Sequence, residues 1–462
     1  MNVEVFFIYS IISAVFSSER TLVSKVGDQT RVSVAYYSGR FIAVYEDTNC
    51  GKPEKHACLN IGGAEELADD SFASTAFPSV GVDSNGNIYL VWSDARAVDP
   101  NTGQRTWDIY LRKKISNSWQ TSQMINNKTA SDQCKTTGDQ ISPDIYVSNS
   151  GIYVVWQSIE SSGRSFICFA HSPDFGTTWN PNKKLGEGYN PSVAAYGSNI
   201  YIVFSDINGN VKLLKSQDNG SSFTLRSNPI YSARRRLPDL SAPDIAISST
   251  GNILVVLQDK LEKNGIEDID IILISSGDNG ESWSAPSNLD LPGDQTNPSI
   301  VYTGGIFIFY NQTKGLDPDI YYVEAQGNVS VSYGEFSPTG INELNSGTQN
   351  IPILQLKLTA SPEIGSAEVK TLRFKASGTF DDSIHISKVK MILDSDGNGI
   401  ITSSDTTLSE SIFQADDSYT TLSVNVVVSS SPVYILFVVD LSQPIPRGKT
   451  FSVSINPVSD IL

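Results

Sequence analysis

The sequence predicts an all-β protein in which a six-bladed β-propeller is followed by an antiparallel β-sandwich. Two patterns support the propeller: a strand–turn–strand phrase recurs six times, and three copies of a Ser-x-Asp-x-Gly motif follow copies of that phrase. Repeats of about fifty residues are typical of propellers and solenoids. A third observation supports the sandwich, because the residues after about 350 alternate in strand fashion and lack the motif.

The repeated phrase consists of a strand, a Gly or Asn turn and a second strand rich in Ile, Val, Tyr and Trp. Its copies lie at 31–47, 77–94, 142–157, 190–206, 242–259 and 297–312. The second strands are apolar at nearly every position, so both of their faces must be covered. Four strands per unit, with the sheets packed face to face, define a propeller blade. Residues 20–27 resemble the end of a blade, and we expect them to supply the outer strand of the last one.

Three octapeptides, SPDFGTTW, SQDNGSSF and SGDNGESW, predict the hairpin between the third and fourth strands. Their aspartate accepts backbone N–H bonds across the turn, their glycine permits positive φ, and their aromatic residue packs as the fourth strand begins. We therefore interpret them as structural. The residues concerned are Asp174, Gly176 and Trp179; Asp218, Gly220 and Phe223; and Asp278, Gly280 and Trp283.

These octapeptides resemble the Asp boxes, or BNR repeats, of the sialidase superfamily, and six repeats match its six-bladed propeller. The resemblance covers roughly residues 20–335. Lectins, glycosidases and non-enzymatic exported proteins share the Asp box, so the resemblance implies a fold and leaves the activity open.

The resemblance implies that a ligand binds on the rim opposite the Asp boxes, where the loops carry aromatic, Arg and Asp residues suited to a sugar or an acidic ligand. The candidate ligand-binding residues are Asp94, Arg96, Arg105, Trp107, Arg164, Asp206, Arg234, Arg235, Arg236 and Asp259. Three of them, Asp94, Asp206 and Asp259, occupy the same repeat position. For these three we favour a structural role, because a repeated polar residue more often satisfies the backbone of its own blade.

Sialidase chemistry, as the resemblance implies it, needs three arginines, a Tyr–Glu nucleophile pair and an Asp acid/base. The family marks its first arginine with Phe/Tyr-Arg-Ile-Pro, and this chain has Thr30-Arg31-Val32-Ser33 there. Arg31 is therefore the one candidate catalytic residue, and the other groups have no assignable counterpart. The sequence favours a protein that is not an enzyme.

The third segment starts after a linker at 339–351, and residues 352–462 are predicted to form the sandwich. It contains DSDGNGIITSSD, whose spacing resembles the calcium loop of EF-hands, with a twelfth-position Asp as in dockerins. The predicted Ca²⁺ ligands are Asp394, Asp396, Asn398, the Ile400 carbonyl, Thr402 and Asp405. The ion would stabilise the sandwich, and the alternative is a simple Asp/Gly turn. Asp381 and Asp382 form a second acidic pair nearby.

Residues 1–17 are predicted to be a signal peptide, and residues 18–338 the propeller. The apolar run at 5–16 fits a signal-peptide core and is short for a membrane span; the alternative is a buried N-terminal strand. Four cysteines agree with export, and of three connectivities we favour Cys50–Cys58 with Cys134–Cys168. We expect a secreted or cell-surface protein whose one candidate membrane anchor is an uncleaved N-terminal segment.

A formal charge of −17 argues against a nucleic-acid partner, which needs a basic surface. We therefore expect the partner to be a glycan or another surface ligand, bound by an exported propeller with a calcium-stabilised accessory domain. The alternatives are an exo-acting, sialidase-like glycoside hydrolase and a structural surface or adhesion protein. Three arginines beside a Tyr–Glu pair in the central depression would favour the hydrolase. The sequence leaves the ligand and the oligomeric state open.

Overall fold

A computed structural model of the chain divides into two units, Phe16–Gln326 and Met1–Val15 with Gly327–Leu462. It describes residues 2–3, 15–16, 19–52, 55–98, 103–126, 130–134, 138–234, 241–249, 251–263, 266–284, 286–289, 291–314, 317–326, 329–333, 347–360, 366–379, 381–429, 431–442 and 450–454. Among these residues, no helix has the length and apolar character needed to cross a membrane.

The first unit is a six-bladed β-propeller, as predicted, and each blade is an antiparallel sheet of four or five strands. The strands are given from the centre outward. Blade 1 contains Gln29–Tyr37, Arg40–Asp47, His56–Ile61 and Ala64–Leu67. Blade 2 contains Thr75–Val82, Ile88–Val98 and Arg105–Ile115, and its two short outer segments, Ser118–Trp119 and Gln123–Met124, both pair with Arg105–Ile115. Blade 3 contains Asp139–Ser148, Gly151–Ile159, Ser165–Ser172 and Lys183–Glu187. Blade 4 contains Tyr189–Tyr196, Asn199–Ser205, Val211–Ser216 and Thr224–Leu225. Blade 5 contains Asp244–Ile247, Ile253–Lys263, Ile266–Ser276 and Ser287–Asn288. Blade 6 contains Thr296–Tyr302, Ile306–Thr313 and Pro318–Gln326, and its two outer segments, Arg20–Val23 and Val15–Phe16, both pair with Pro318–Gln326.

The ring of blades is closed by a strand from the N-terminal side of the chain. Arg20–Val23 pairs antiparallel with Pro318–Gln326, the third strand of blade 6. The outer strand expected within residues 20–27 is thus present and ends at Val23. Because this strand precedes blade 1 and lies in blade 6, separation of these two blades requires the loss of its backbone hydrogen bonds.

The second strand of each blade forms the core between neighbouring sheets. Tyr45, Trp92, Trp156 and Tyr310 are fully buried at equivalent positions in four blades. These strands are covered on both faces, which explains why their sequences are apolar at almost every position.

The three octapeptides form the hairpins that the sequence predicts. The Asp174 carboxylate accepts the Thr178 N–H at 2.6 Å, the Thr177 N–H at 3.1 Å and the Thr178 hydroxyl at 2.7 Å. Asp218 and Asp278 have the same contacts with Ser222 and Ser282. Hydrogen bonds donated by these residues lower the pKa of each of the three aspartates to about 2.

The second unit is a β-sandwich of two sheets around one apolar core. One sheet contains Asn2–Val3, Thr450–Ser454, Ser366–Gly378 and Tyr419–Ser429, and the other contains Val329–Tyr333, Ile351–Ala360, Val433–Leu441, Ile386–Leu393 and Thr406–Ser411. A single helical turn, Asp382–His385, precedes the strand Ile386–Leu393.

Two boundaries differ from the sequence prediction. Val329–Tyr333, which the prediction included in the propeller, pairs with Ile351–Ala360 of the sandwich. Its alternation Val-Ser-Val-Ser-Tyr fits any half-covered edge strand, so the choice of sheet depends on the partner. Ile351, predicted to end the linker, begins a strand, and residues 339–346 lie outside the described residues. In the predicted signal peptide, residues 4–14 also lie outside them.

Both predicted disulfides are present, Cys50–Cys58 in blade 1 and Cys134–Cys168 at blade 3. No cysteine of the described chain remains free. Paired cysteines are typical of proteins that mature in an oxidising compartment.

Candidate functional site at the mouth of the propeller

Six residues with positive φ surround the central axis of the propeller, one at the start of each innermost strand. They are Arg31, Phe77, Ser142, Asn190, Ala242 and Asn297. Five of the six precede a proline. A following proline disfavours helical backbone angles, so the surrounding structure must impose the positive φ. The six residues line a cavity of about 130 Å³ on the rim opposite the Asp boxes, which we call the mouth.

Hydrogen bonds between blades hold these residues in place. In four blades a buried side chain of the second strand accepts the N–H of the positive-φ residue in the next blade. The pairs are Glu46 with Phe77 at 2.8 Å, Gln157 with Asn190 at 3.1 Å, Gln258 with Asn297 at 2.6 Å, and Asn311 with Arg31 at 2.9 Å. Each pair also joins one blade to the next, so the shape of the mouth depends on the whole ring.

A ring of serine and aspartate side chains lies beneath the mouth, two residues after each positive-φ position. Its members are Ser33, Ser79, Asp144, Ser192, Asp244 and Ser299. The Ser79 hydroxyl donates to Asp144 at 2.7 Å. The Ser192 hydroxyl lies 2.8 Å from Asp144 and 2.6 Å from Asp244.

The Ser192 hydroxyl has one proton, so it can donate to only one of its two carboxyl neighbours. The other contact is a hydrogen bond when that carboxyl is protonated and donates to Ser192. Burial raises the pKa of both Asp144 and Asp244, and the charge of Asp244 raises that of Asp144 further. Both shifts favour retention of a proton by one of the two carboxyls, which would lower the negative charge beneath the mouth.

Arg31 is the one predicted site residue that lines the mouth within the described part of the chain. Its guanidinium lies 3.9 Å from the centre of the Phe77 ring, and its Nε lies 3.4 Å from Glu46. Lys55 lies 3.2 Å from the same carboxylate. The Arg31 and Lys55 side chains are 42% and 40% exposed, whereas that of Glu46 is 4% exposed. Two solvent-facing cations thus surround one buried anion, which leaves the edge of the mouth positive.

The three repeated aspartates bind groups of their own surroundings, as the structural interpretation favours. Asp94 is fully buried and accepts hydrogen bonds from Trp92 at 2.8 Å and from the Arg96 side chain. Asp206 accepts N–H groups of its own turn. Asp259 accepts the Tyr231 hydroxyl at 2.8 Å and the Arg234 N–H at 2.9 Å.

The remaining predicted rim residues do not converge. Arg96 reaches Asp70 at 2.9 Å and stacks on Tyr110, and Arg105 donates to the Ala95 carbonyl at 3.0 Å. The Trp107 N–H binds Asp139, and Arg164 pairs with Glu187 over the Phe166 ring. Arg235 and Arg236 lie outside the described residues.

Tyr–Glu pairs are present, but they lie in the walls between blades. The Tyr45 hydroxyl donates to Glu65, which also binds Lys25 at 2.6 Å. Tyr310 donates to Glu19 at 2.7 Å. Burial and the neighbouring carboxylate raise the pKa of both tyrosines, which opposes formation of a phenolate nucleophile. Both tyrosines are fully buried.

A larger groove of about 470 Å³ lies on the opposite rim, between the Asp boxes of blades 4 and 5. Its two cations already bind backbone carbonyls: Lys215 binds that of Asn279, and Arg226 binds those of Asn228 and Glu281. At the mouth, by contrast, two cations that are 42% and 40% exposed share the single carboxylate of Glu46.

The predicted calcium loop has oxygen atoms in a suitable arrangement. Carboxylate oxygens of Asp394, Asp396 and Asp405 lie within 4.8 Å of one another. Asp394 accepts the N–H of Gly399, the sixth loop residue, which has φ +75°. Asp405 accepts the N–H groups of Ser395 and Thr402, so it joins both ends of the loop. This donor set fits Ca²⁺.

Solved structures show which folds this chain is similar to. Trypanosoma rangeli sialidase in complex with 2,3-difluorosialic acid matches with a TM-score of 0.51 and 11% identity, over 92% of this chain and 90% of the sialidase. The chain has a sialidase-like propeller fold. The same sialidase in complex with the inhibitor DANA matches with a TM-score of 0.50 and 12% identity, over 90% and 88% of the two chains.

A protein of unknown function from Dyadobacter fermentans DSM 18053 matches with a TM-score of 0.49 and 13% identity, over 66% of this chain and 98% of that one. No protein-family model matches this chain, and no curated protein matches it in sequence. At these identities the similarity establishes the fold and leaves the activity undetermined.

Proposed function

We propose that this protein is an exported propeller that binds a carboxylate-bearing glycan, or a similar anionic surface ligand, at the mouth of its channel. The observation that carries the proposal is the half-exposed Arg31 guanidinium, which is stacked on Phe77 at the edge of that mouth. In a chain with a net charge of −17, two solvent-facing cations flank one carboxylate at this place. Electrostatic attraction would therefore direct an anionic group to this place.

The size of the mouth sets the manner of binding. Small-molecule pockets typically enclose about 300–1,000 Å³, whereas the mouth has about 130 Å³. It can take a carboxylate and part of one sugar ring, while the rest of the ligand lies across the rim. Arg31 would bind the carboxylate through two parallel N–H groups, and Phe77 would offer its ring edge to the apolar face of the sugar.

The described mouth residues favour binding over hydrolysis. They include one arginine and no tyrosine, and the tyrosines of the described Tyr–Glu pairs are buried and do not line the mouth. The calcium loop supports the sandwich in this proposal: Asp394, Asp396, Asn398, the Ile400 carbonyl, Thr402 and Asp405 would hold the ion. A bound Ca²⁺ supplies electrostatic attraction that keeps the loop in one conformation.

A glycan array incubated with calcium-loaded protein for several hours tests the proposal. We expect stable binding to carboxylate-bearing glycans, with the signal reduced at least tenfold in Arg31→Ala. Arg40→Ala is the matched control, because Arg40 is exposed in the hairpin at the opposite end of blade 1. Progressive loss of a terminal sugar from the array would overturn the proposal in favour of a glycoside hydrolase. An array without any binding would contradict it in favour of a structural role.

A further inference from the structure

A second group of carboxylates lies in the sandwich, away from the predicted calcium loop. Oxygens of Asp382, Asp416 and Asp417 lie within 4.8 Å of one another. Two ligands on opposite sides of one Ca²⁺ are about 4.8 Å apart, because each Ca–O distance is about 2.4 Å. The three carboxylates are thus close enough together to contact one ion.

One of these carboxylates is buried without a hydrogen-bond partner. Asp382 is 0% exposed, and its Oδ1 contacts no donor in the described part of the chain. Its Oδ2 accepts the Asp417 N–H at 3.1 Å, and its own N–H donates to Asp416 at 3.3 Å. A buried carboxylate oxygen without a donor is costly unless it binds a cation or a proton. Asp416 and Asp417 are exposed, so the group as a whole borders solvent on their side.

The position of this group in the fold gives an ion a structural role. Asp382 lies on the connection from Ser366–Gly378 to Ile386–Leu393, which leads from one sheet of the sandwich to the other. Asp416 and Asp417 lie on a second such connection, from Thr406–Ser411 to Tyr419–Ser429. An ion held by all three would join the two connections at the same end of the sandwich.

We propose that Asp382, Asp416 and Asp417 form a second Ca²⁺ site, separate from the loop at 394–405. The strand Ile386–Leu393 connects the two sites, so they lie at its opposite ends. Eight residues of strand span roughly 26 Å, which makes the sites independent. Carboxylates and water are the ligands that Ca²⁺ takes in irregular geometries, and the exposed side of the site leaves room for water.

The number of Ca²⁺ ions bound per chain tests this proposal. Calcium-free full-length protein is titrated with CaCl₂ in a calorimeter, and bound ions are counted by equilibrium dialysis. We expect Asp416→Asn with Asp417→Asn to bind one ion fewer than the wild type. Both positions are exposed, and Asn tolerates the positive φ of Asp417, so this variant should fold. Circular dichroism confirms folding before titration.

Two matched variants distinguish this site from the loop. Asp396→Ala should remove the loop ion alone, because alanine supplies no oxygen ligand, and its combination with the double variant should abolish binding. Glu410→Gln removes an exposed charge from the same unit and should leave the count unchanged. If the loop binds no ion, the double variant should still bind one Ca²⁺ ion fewer per chain than the wild type. A count that the double variant leaves unchanged overturns the second site.

Discussion

At the scale of single residues, the Asp-box glycines have two separate requirements. Gly176 has φ +82°, and a Cβ there would lie 2.7 Å from Leu111 of the preceding blade. Gly220 and Gly280 have the same relation to Phe169 and Leu213. The octapeptide therefore closes its own hairpin and also packs against the neighbouring blade, which explains its recurrence at equivalent positions.

Replacement of Gly176 by Ala should lower the free energy of unfolding by about 2–4 kcal/mol. Backbone strain should account for about 1 kcal/mol of this loss, and the close contact with Leu111 for the remainder. Gly39→Ala is the control, because Gly39 has φ +81° and no atom within 4 Å of its Cβ position. Urea unfolding measures both. Equal losses in the two variants would contradict the packing role.

We expect Asp382 to make the stability of the metal-free protein depend on pH. Burial and the charges of Asp416 and Asp417 raise the pKa of Asp382 to about 7, against about 3.9 in an unfolded chain. The folded state thus binds this proton more tightly. The stabilisation that this proton gives the folded state is complete below about pH 4 and is lost as the pH rises through about 7.

In calcium-free buffer, the difference in melting temperature between wild type and Asp382→Asn should therefore change between pH 5 and pH 8, with the wild type losing stability relative to the variant. Scanning calorimetry at each pH measures this difference. Added CaCl₂ should stabilise the wild type at pH 8 by more than it stabilises the variant, which keeps only the loop site. A difference that does not vary with pH would show that Asp382 ionises normally.

At the scale of elements, the positive-φ positions at the starts of the inner strands determine the site. Gln258 accepts the Asn297 N–H at 2.6 Å and is buried. Gln258→Ala should cost about 1–3 kcal/mol of stability, because it leaves that N–H without its acceptor. The exposed Gln217→Ala is the control, and chemical unfolding compares them. A loss no larger than that of the control would mean that water replaces the side chain.

Local patterns explain which elements were predictable from the sequence. Strand alternation, turn glycines and the Asp boxes predicted the blades, because each depends on neighbours within a few residues. The phrase X-Pro-Ser/Asp was visible in five blades, yet a residue before proline normally extends the strand. In four blades a hydrogen bond to the adjacent blade, such as that from Asn297 to Gln258, holds the positive-φ residue that lines the mouth.

The candidate rim residues were predicted less well for a related reason. The direction of the strands determines the rim on which a loop lies. The direction of a long side chain in that loop depends on the residue with which it forms an ion pair. Asp70 holds Arg96 and Glu187 holds Arg164, and neither contact has a sequence signature. Arg31 was predicted as a catalytic candidate from the place of the family's arginine motif in the first blade, and the structure places it at the mouth. Lys55 and Phe77 were missed, since an isolated Lys and a core-type Phe carry no local signal.

At the scale of the whole molecule, the ring depends on its closing strand. Val23 is buried against Ile320, and Val26, three residues later, is 79% exposed. Val23→Asp should destabilise the propeller by more than about 3 kcal/mol, because it buries an unpaired charge. Val26→Asp is the matched control. All six tryptophans lie between residues 92 and 283, so their fluorescence reports on the propeller. Coincident unfolding curves for the two variants would contradict closure by this strand.

The proposed binding function rests on one charge at the mouth, and a comparison of two ligands tests it most directly. Titration calorimetry would compare an oligosaccharide that ends in a uronic acid with the same oligosaccharide ending in the neutral sugar. We expect the wild type to prefer the acidic form at least tenfold, or about 1.4 kcal/mol, and Arg31→Ala to lose this preference. Equal affinities in the wild type, or a preference that survives in Arg31→Ala, would contradict the proposed role of the mouth.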